Sequence, residues 1–85
     1  MKVKSGLILN KIADEYVVVS TNGLIDGMLR LNETAAFIYQ LLENDISKSD
    51  AIKKMTDEYD VDVETAERDF NAILKVLSDA NLIEE

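Results

Sequence analysis

The sequence predicts an α+β domain in which an N-terminal three-stranded antiparallel β-meander is followed by three α-helices. Two observations favour this fold class. Between Leu7 and Leu31 the apolar residues fall in short clusters that are rich in β-branched types, as is usual in strands. From Asn32 onward they recur at helical spacing, and capping residues precede three such segments. A chain of 85 residues has room for one hydrophobic core, so we expect residues 1–85 to form a single domain.

The strands are predicted from three apolar clusters, which lie at residues 7–9, 16–19 and 28–31. Only Ala13-Asp14-Glu15 and a few further residues separate the first two clusters, so these should pair as an antiparallel hairpin. The longer loop from Ser20 to Asp26 contains Asn22-Gly23 and ends before Gly27, which provides turn chemistry at both ends. A sheet of this size is marginally stable alone, and one of its faces must therefore pack on helices.

Each predicted helix follows a residue whose side chain can accept hydrogen bonds from first-turn amides: Asn32, Ser47 and Asp62. The first helix is predicted to run to about Asn44, and the third from Val63 to about Ala80. The second helix carries one apolar stripe, made by Ala51, Ile52, Met55 and Tyr59. Asn81 is expected to end the third helix in the left-handed conformation, with Leu82-Ile83 packing back as a short extended tail.

The third helix has an apolar surface wider than a small sheet needs. At 100° per residue its core stripe consists of Val63, Ala66, Phe70, Leu74 and Leu77. The apolar sector continues along one flank through Ala72, Ile73, Val76 and Ala80, with Asp69 set among them. Two interpretations are open at this point. Either the helix is deeply buried, or a groove rimmed by Asp69 lies beside it and receives a partner peptide.

The third strand raises the same question, because consecutive strand order leaves it at an edge of the sheet. Met28 and Arg30 should point to one face, and Leu29 and Leu31 to the other. An open edge beside an apolar helix flank is suited to an extended peptide that adds a strand, whereas the alternative is that Arg30 only keeps the edge solvated. The candidate peptide-binding residues are Gly27, Met28, Leu29, Arg30, Leu31, Asp69, Ala72, Ile73 and Val76.

Composition argues against most catalytic chemistry and against nucleic acid. The chain has no cysteine and no histidine, so thiolate chemistry and the commonest metal ligand are absent, and neither a metal nor a cofactor is expected. Residues 32–85 hold five cations and fourteen anions, and this excess of negative charge repels phosphates. No apolar run is long enough for a membrane span or a signal peptide, and a cytoplasmic protein without membrane contact is expected.

An alternating acidic segment before the third helix invites comparison with a calcium loop. Asp60, Asp62 and Glu64 alternate as the first ligands of such a loop do, but Thr65 and Asn71 occupy the positions that require glycine and glutamate. Helix capping explains these carboxylates, so no metal site is predicted.

The segment from Asp26 to Tyr39, DGMLRLNETAAFIY, resembles the signature of the PqqD-like family, in which a third strand ends in Leu-Asn-x-Thr-Ala and runs into an amphipathic helix. The family's other landmarks are matched in order by Tyr16–Val19, Tyr59–Asp62 and Leu77–Ile83. The resemblance covers essentially the whole chain. Tyr39 is a departure, because tryptophan is common there in the family.

This resemblance implies a winged helix-turn-helix-like fold and a non-catalytic role as a RiPP recognition element. Such domains bind the leader of a ribosomally made precursor peptide and present it to a modifying enzyme, often a radical S-adenosylmethionine maturase or a cyclase and protease pair. The leader would add a strand to Gly27–Leu31 and pack against the flank of Asp69, Ala72, Ile73 and Val76.

Two other classes of protein share some of these features. A winged-helix transcription regulator would have the same fold but needs a cationic recognition helix, whereas the third helix has Arg68 and Lys75 against four carboxylates. An acyl or peptidyl carrier protein shares the size and acidity, but it would be all helix and would carry an Asp-Ser-Leu attachment site that this sequence lacks.

Overall fold

The computed structural model describes residues 1–84 and confirms the predicted α+β fold, a three-stranded antiparallel sheet followed by three helices. The elements are β1 (Lys2–Val3), β2 (Leu7–Ile12), β3 (Glu15–Ser20), β4 (Leu29–Leu31), α1 (Glu33–Leu41), α2 (Lys48–Glu58), α3 (Val63–Asp79) and β5 (Ile83–Glu84). Within the described residues, no helix is both long enough and apolar enough to cross a membrane.

The main sheet has the strand order β2-β3-β4, with both pairs antiparallel, as the meander prediction requires. A tight turn at Ala13-Asp14 joins β2 to β3, and Ala13 has a positive φ of 56° there. The central strand β3 is the best buried, with Val18 fully enclosed. Since β3 is paired on both sides, β2 and β4 form the two edges.

The third predicted strand is shorter than expected. Pairing with β3 begins at Leu29, so Gly27 and Met28 lie before the strand rather than in it. Gly27 has φ +95°, a left-handed conformation that turns the chain just before the strand and that a residue with a Cβ would adopt only with strain.

A second, two-stranded sheet was not predicted. Lys2 and Val3 pair antiparallel with Glu84 and Ile83, and the Val3 amide also donates to the Leu42 carbonyl at 2.8 Å. The predicted extended tail at Leu82-Ile83 is therefore present, with Leu82 fully buried. Strands of two residues carry no periodicity, which explains why the N-terminal partner was missed.

All three predicted caps form. The side chains of Asn32, Ser47 and Asp62 accept hydrogen bonds from the amides of Ala35, Asp50 and Thr65, at 2.8, 3.2 and 2.8 Å. The Thr65 amide also holds the pKa of the Asp62 carboxyl below its ordinary value, because it hydrogen-bonds the ionised form. At the far end of α3, Asn81 has φ 60°, the predicted left-handed conformation.

The helix ends differ from the expectations in two places. The first helix stops at Leu41 instead of Asn44, because the Leu42 amide donates to the carbonyls of both Ile38 and Tyr39 and tightens the last turn. The second helix stops before Tyr59, which is extended. The Tyr59 ring instead meets Phe37 edge to face, with ring centroids 5.2 Å apart.

The core lies between the inner face of the main sheet and the three helices. On α3 it takes Ala66, Phe70 and Leu77, all fully buried, while Leu74 is half-buried. The expectation that Val63 belongs to the same stripe is wrong, because its side chain is 62% exposed. It is the first residue of α3, which the core does not cover.

Tyr39 lies in the last turn of α1 with only 1% of its surface exposed. Burial raises its pKa from 10.0 to about 12, and the charge of Glu43 adds to the effect. In the unfolded chain the phenol ionises near pH 10, so between about pH 10 and pH 12 the unfolded state has released a proton that the folded state retains. The free energy of unfolding must therefore fall as pH rises through this range.

We expect replacement of Tyr39 by phenylalanine to remove this alkaline loss. The two-unit pKa difference corresponds to at most about 2–3 kcal/mol at high pH. Urea unfolding of both proteins from pH 9 to pH 12 measures the difference, with the remaining tyrosines and lysines common to both. Parallel stability curves over the whole range would contradict the raised pKa of Tyr39.

Candidate peptide-binding site

The free edge of β4 is the first component of the site. Leu29, Arg30 and Leu31 pair with Val18, Val17 and Tyr16 of β3 on one side. On the other side, no strand within residues 1–84 pairs with them. In an antiparallel sheet the backbone groups of an edge strand point alternately toward its partner and away from it, so β4 presents unpaired donors and acceptors outward. At about 3.4 Å per residue this edge is roughly 10 Å long.

The side chains of β4 alternate between the two faces of the sheet as predicted. Leu31 is buried and Leu29 is half-buried on the face that meets the helices. Arg30 lies on the outer face, where its guanidinium approaches the Glu15 carboxylate at 4.0 Å and both side chains are largely exposed. A pair this long and this exposed contributes little to stability. Met28, just before the strand, is 55% exposed.

A groove between the start of α1 and one flank of α3 forms the second component. It has a volume of about 250 Å³. We call it the helix-flank groove, and its lining residues are Asn32, Thr34, Ala35, Asp69, Ala72 and Ile73. Three of the four predicted α3 residues, Asp69, Ala72 and Ile73, therefore line one surface depression. Asn32 directly follows the last residue of β4, so the groove begins where the open edge ends.

The predicted α3 flank is not buried inside the domain. Asp69 and Ile73 are half-buried, and Ala72 is exposed. Val76 is 43% exposed and does not line the helix-flank groove, but as the residue one turn beyond Ala72 it continues the apolar flank. The structure thus favours the groove interpretation over a deeply buried helix.

The lining of the helix-flank groove combines apolar and polar groups. Ala35, Ala72 and Ile73 give it a small apolar wall, and Asn32 and Thr34 give it a polar one. Within residues 1–84 the Asp69 carboxylate has no ion pair, so its charge is available to a ligand. The groove is thus suited to a short apolar side chain that is followed by a basic or hydrogen-bonding group.

Reasoning from the sequence missed the α1 side of the groove, namely Asn32, Thr34 and Ala35. The signal was present, because a helix that begins immediately after an edge strand must place its first turn beside that edge. The spacing that reveals a stripe on one helix, however, says nothing about which other helix faces it.

An open edge strand beside a helix groove defines a class of small α+β domains that are built to receive an extended peptide. The family model described as "Coenzyme PQQ synthesis protein D (PqqD)" matches residues 15–83 of the sequence. The chain belongs to this family.

Two solved structures are similar over almost their whole length. One is described as "TbiB1 in Complex with the TbiA(beta) Leader Peptide", with a TM-score of 0.79 and 27% sequence identity, covering 99% of this chain and 95% of that one. The other is described as "Lasso peptide synthetase B1 complexed with the leader peptide", with a TM-score of 0.77, 25% identity and coverage of 99% and 96%. No curated protein matches the sequence significantly.

Asn32 links the two components of the site, and its cap can be tested directly. Asn32→Ala removes the 2.8 Å bond to the Ala35 amide and should lower the free energy of unfolding by about 1 kcal/mol. Asn32→Asp should retain the stability, because aspartate caps equally well and its charge suits a helix N-terminus. Chemical denaturation of the three proteins gives the comparison, and equal stability of the alanine variant and the original chain would contradict the cap.

Proposed function

We propose that this protein is a non-catalytic adaptor that binds the leader segment of a ribosomally synthesised precursor peptide and presents it to a modifying enzyme. The observation that carries the proposal is the continuity of the open β4 edge with the helix-flank groove. Residues 1–85 would act as one binding module, in the cytoplasm, without a cofactor.

Backbone pairing supplies the first part of the affinity. A leader that adopts an extended conformation would join the sheet next to Leu29–Leu31 and satisfy the outward backbone groups of β4. This pairing requires no particular leader sequence, because it involves main-chain atoms only. It therefore fixes the position and direction of the leader but does not select it.

Selection would come from the side chains. Alternate side chains of an added strand point to opposite faces of the sheet, so one set would face the helices and the helix-flank groove, and the other the outer face with Arg30. An apolar leader residue would contact Ala72 and Ile73, and Val76 would extend that contact. Asp69 would favour a basic leader residue and disfavour an acidic one.

The comparisons support a leader as the peptide. Both similar structures are described as complexes with a leader peptide, and the family description concerns the synthesis of coenzyme PQQ. The family resemblance of the sequence implies a radical S-adenosylmethionine maturase, or a cyclase and protease pair, as the partner enzyme.

The structure gives no support to the two other classes. A carrier protein would be all helix, whereas this chain has a three-stranded sheet. A DNA-binding regulator would need cations along the exposed face of α3, and that helix carries Glu64, Glu67, Asp69 and Asp79 against Arg68 and Lys75.

The role of the helix-flank groove is tested by a pair of adjacent substitutions on α3. Ala72 and Asn71 are both exposed, but only Ala72 lines the groove. Ala72→Glu should weaken leader binding by about tenfold or more, because a carboxylate would enter an apolar contact beside Asp69. Asn71→Glu adds the same charge to the same helix, about 100° away, and should leave the affinity nearly unchanged.

We expect a precursor gene beside the gene for this chain, and the measurement is fluorescence anisotropy with the labelled leader that this precursor gene encodes. Circular dichroism confirms that both variants are folded. If Ala72→Glu binds the leader as tightly as Asn71→Glu does, then the groove is not part of the binding site.

A further inference from the structure

A second surface depression lies away from the β4 edge and the helix-flank groove. It has a volume of about 590 Å³ and lies between α2 and the beginning of α3. We call it the α2–α3 pocket, and its lining residues are Lys48, Ser49, Ile52, Lys53, Thr56, Val63 and Glu67. The proposed leader-binding mechanism makes no use of any of them.

The α2–α3 pocket has an apolar interior that the domain does not fill. Ile52 provides its floor and is itself 8% exposed, while the Val63 side chain stands 62% exposed. Capping at the start of α3 is performed by Asp62, so it does not require a valine at the next position. Val63 and Ile52 together give the pocket an apolar lining that is open to a contact partner.

The charged residues at the rim of the α2–α3 pocket have a net charge opposite in sign to that of the whole protein. The charged residues that line the pocket are Lys48, Lys53 and Glu67, a net positive set in a chain of net charge −8. Lys48 lies 3.8 Å from Glu67, and both are substantially exposed, so this pair is weak. Within the described residues Lys53 has no ion pair.

The pocket and the helix-flank groove lie on opposite flanks of α3. Val63 of the pocket and Ala72 of the groove are nine residues apart, and nine residues at 100° each bring a side chain to the opposite side of a helix. The buried stripe of Ala66, Phe70 and Leu77 runs between the two flanks. Both surfaces can therefore be occupied at the same time.

We propose that the α2–α3 pocket docks a partner protein through an acidic segment that inserts a large apolar side chain between Ile52 and Val63. Carboxylates flanking that side chain would pair with Lys53 and Lys48. The chain's overall negative charge repels such a segment elsewhere on the surface and so directs it to this basic rim. That the partner is the enzyme which modifies the leader rests on the proposed function. A second copy of the chain is a poor occupant, because it carries the same net charge of −8.

A synthetic peptide of defined chemistry tests this surface directly, whatever the identity of the partner. The probe is an amphipathic helical peptide of about 14 residues, with leucine along one face and glutamate along the other. Its control has lysine in place of every glutamate. Titration into the ¹⁵N-labelled full chain should shift the amide signals of residues 48–56 and 63–67 with the acidic probe and leave them in place with the basic one.

Two adjacent lysines of α2 provide the matched variants. Lys53→Glu reverses a charge on the pocket rim, whereas Lys54→Glu makes the same change on a side chain that lines a different depression, beside Asp45 and Asp50. We expect Lys53→Glu to weaken binding of the acidic probe about tenfold and Lys54→Glu to change it less than about twofold. Val63→Glu should abolish the amide shifts. None of the three side chains belongs to the core.

Binding of both probes alike, shifts confined to the helix-flank groove, or an equal effect of both lysine variants would overturn the proposal. So would a concentration-dependent dimer, seen by analytical ultracentrifugation, that Val63→Glu abolishes, because the pocket would then be filled by a second copy. The leader-binding proposal fails separately. Ala72→Glu should weaken leader binding, whereas Lys53→Glu should leave leader binding unchanged. A chain that binds the acidic probe but no leader would retain the docking surface without the adaptor role.

Discussion

Within residues 1–84 the backbone of β4 is paired on one side only, and the architecture of the site depends on this constraint. Leu31 ends the strand and Asn32 caps α1, so no loop separates the open edge from the first helical turn. The direction of α1 is thereby tied to the direction of the strand. Since α3 packs against α1, the helix-flank groove is held at a fixed distance from the unpaired amides and carbonyls of β4. A ligand that pairs with the edge finds the groove already formed.

The distribution of side chains along α3 shows how a small domain keeps surface for binding. The helix has seventeen residues, of which Ala66, Phe70 and Leu77 are the fully buried ones. Its two flanks carry apolar side chains that are not fully buried: Ala72, Ile73 and Val76 on one side and Val63 on the other. Beyond the C-terminal end of α3, the β1–β5 ribbon closes the core over Leu82 and joins both ends of the described chain. One helix can thus support the fold and still contribute to two contact surfaces.

Much of the fold could be predicted because its signals are local. A capping side chain and a hairpin turn are each encoded within a few residues, and Asn32, Ser47, Asp62 and the Ala13-Asp14 turn all lie where they were expected. The features that were not predicted correctly depend on contacts between distant parts of the chain. The pairing of Lys2–Val3 with Ile83–Glu84, the exposure of Val63 and the shortness of β4 follow from where helices meet strands, which periodicity does not encode. The candidate site divides in the same way. Its edge strand and α3 flank were predicted from patterns within single elements, whereas the α1 wall of the groove required the packed structure.

The most direct measurement of strand addition is a nuclear Overhauser spectrum of the isotope-labelled protein bound to its unlabelled leader. We expect cross-strand contacts between backbone protons of the leader and those of Leu29–Leu31, in the pattern of a fourth strand added beyond β4. A leader that binds tightly but shows its backbone contacts at β2, or shows none to any strand, would contradict strand addition at β4.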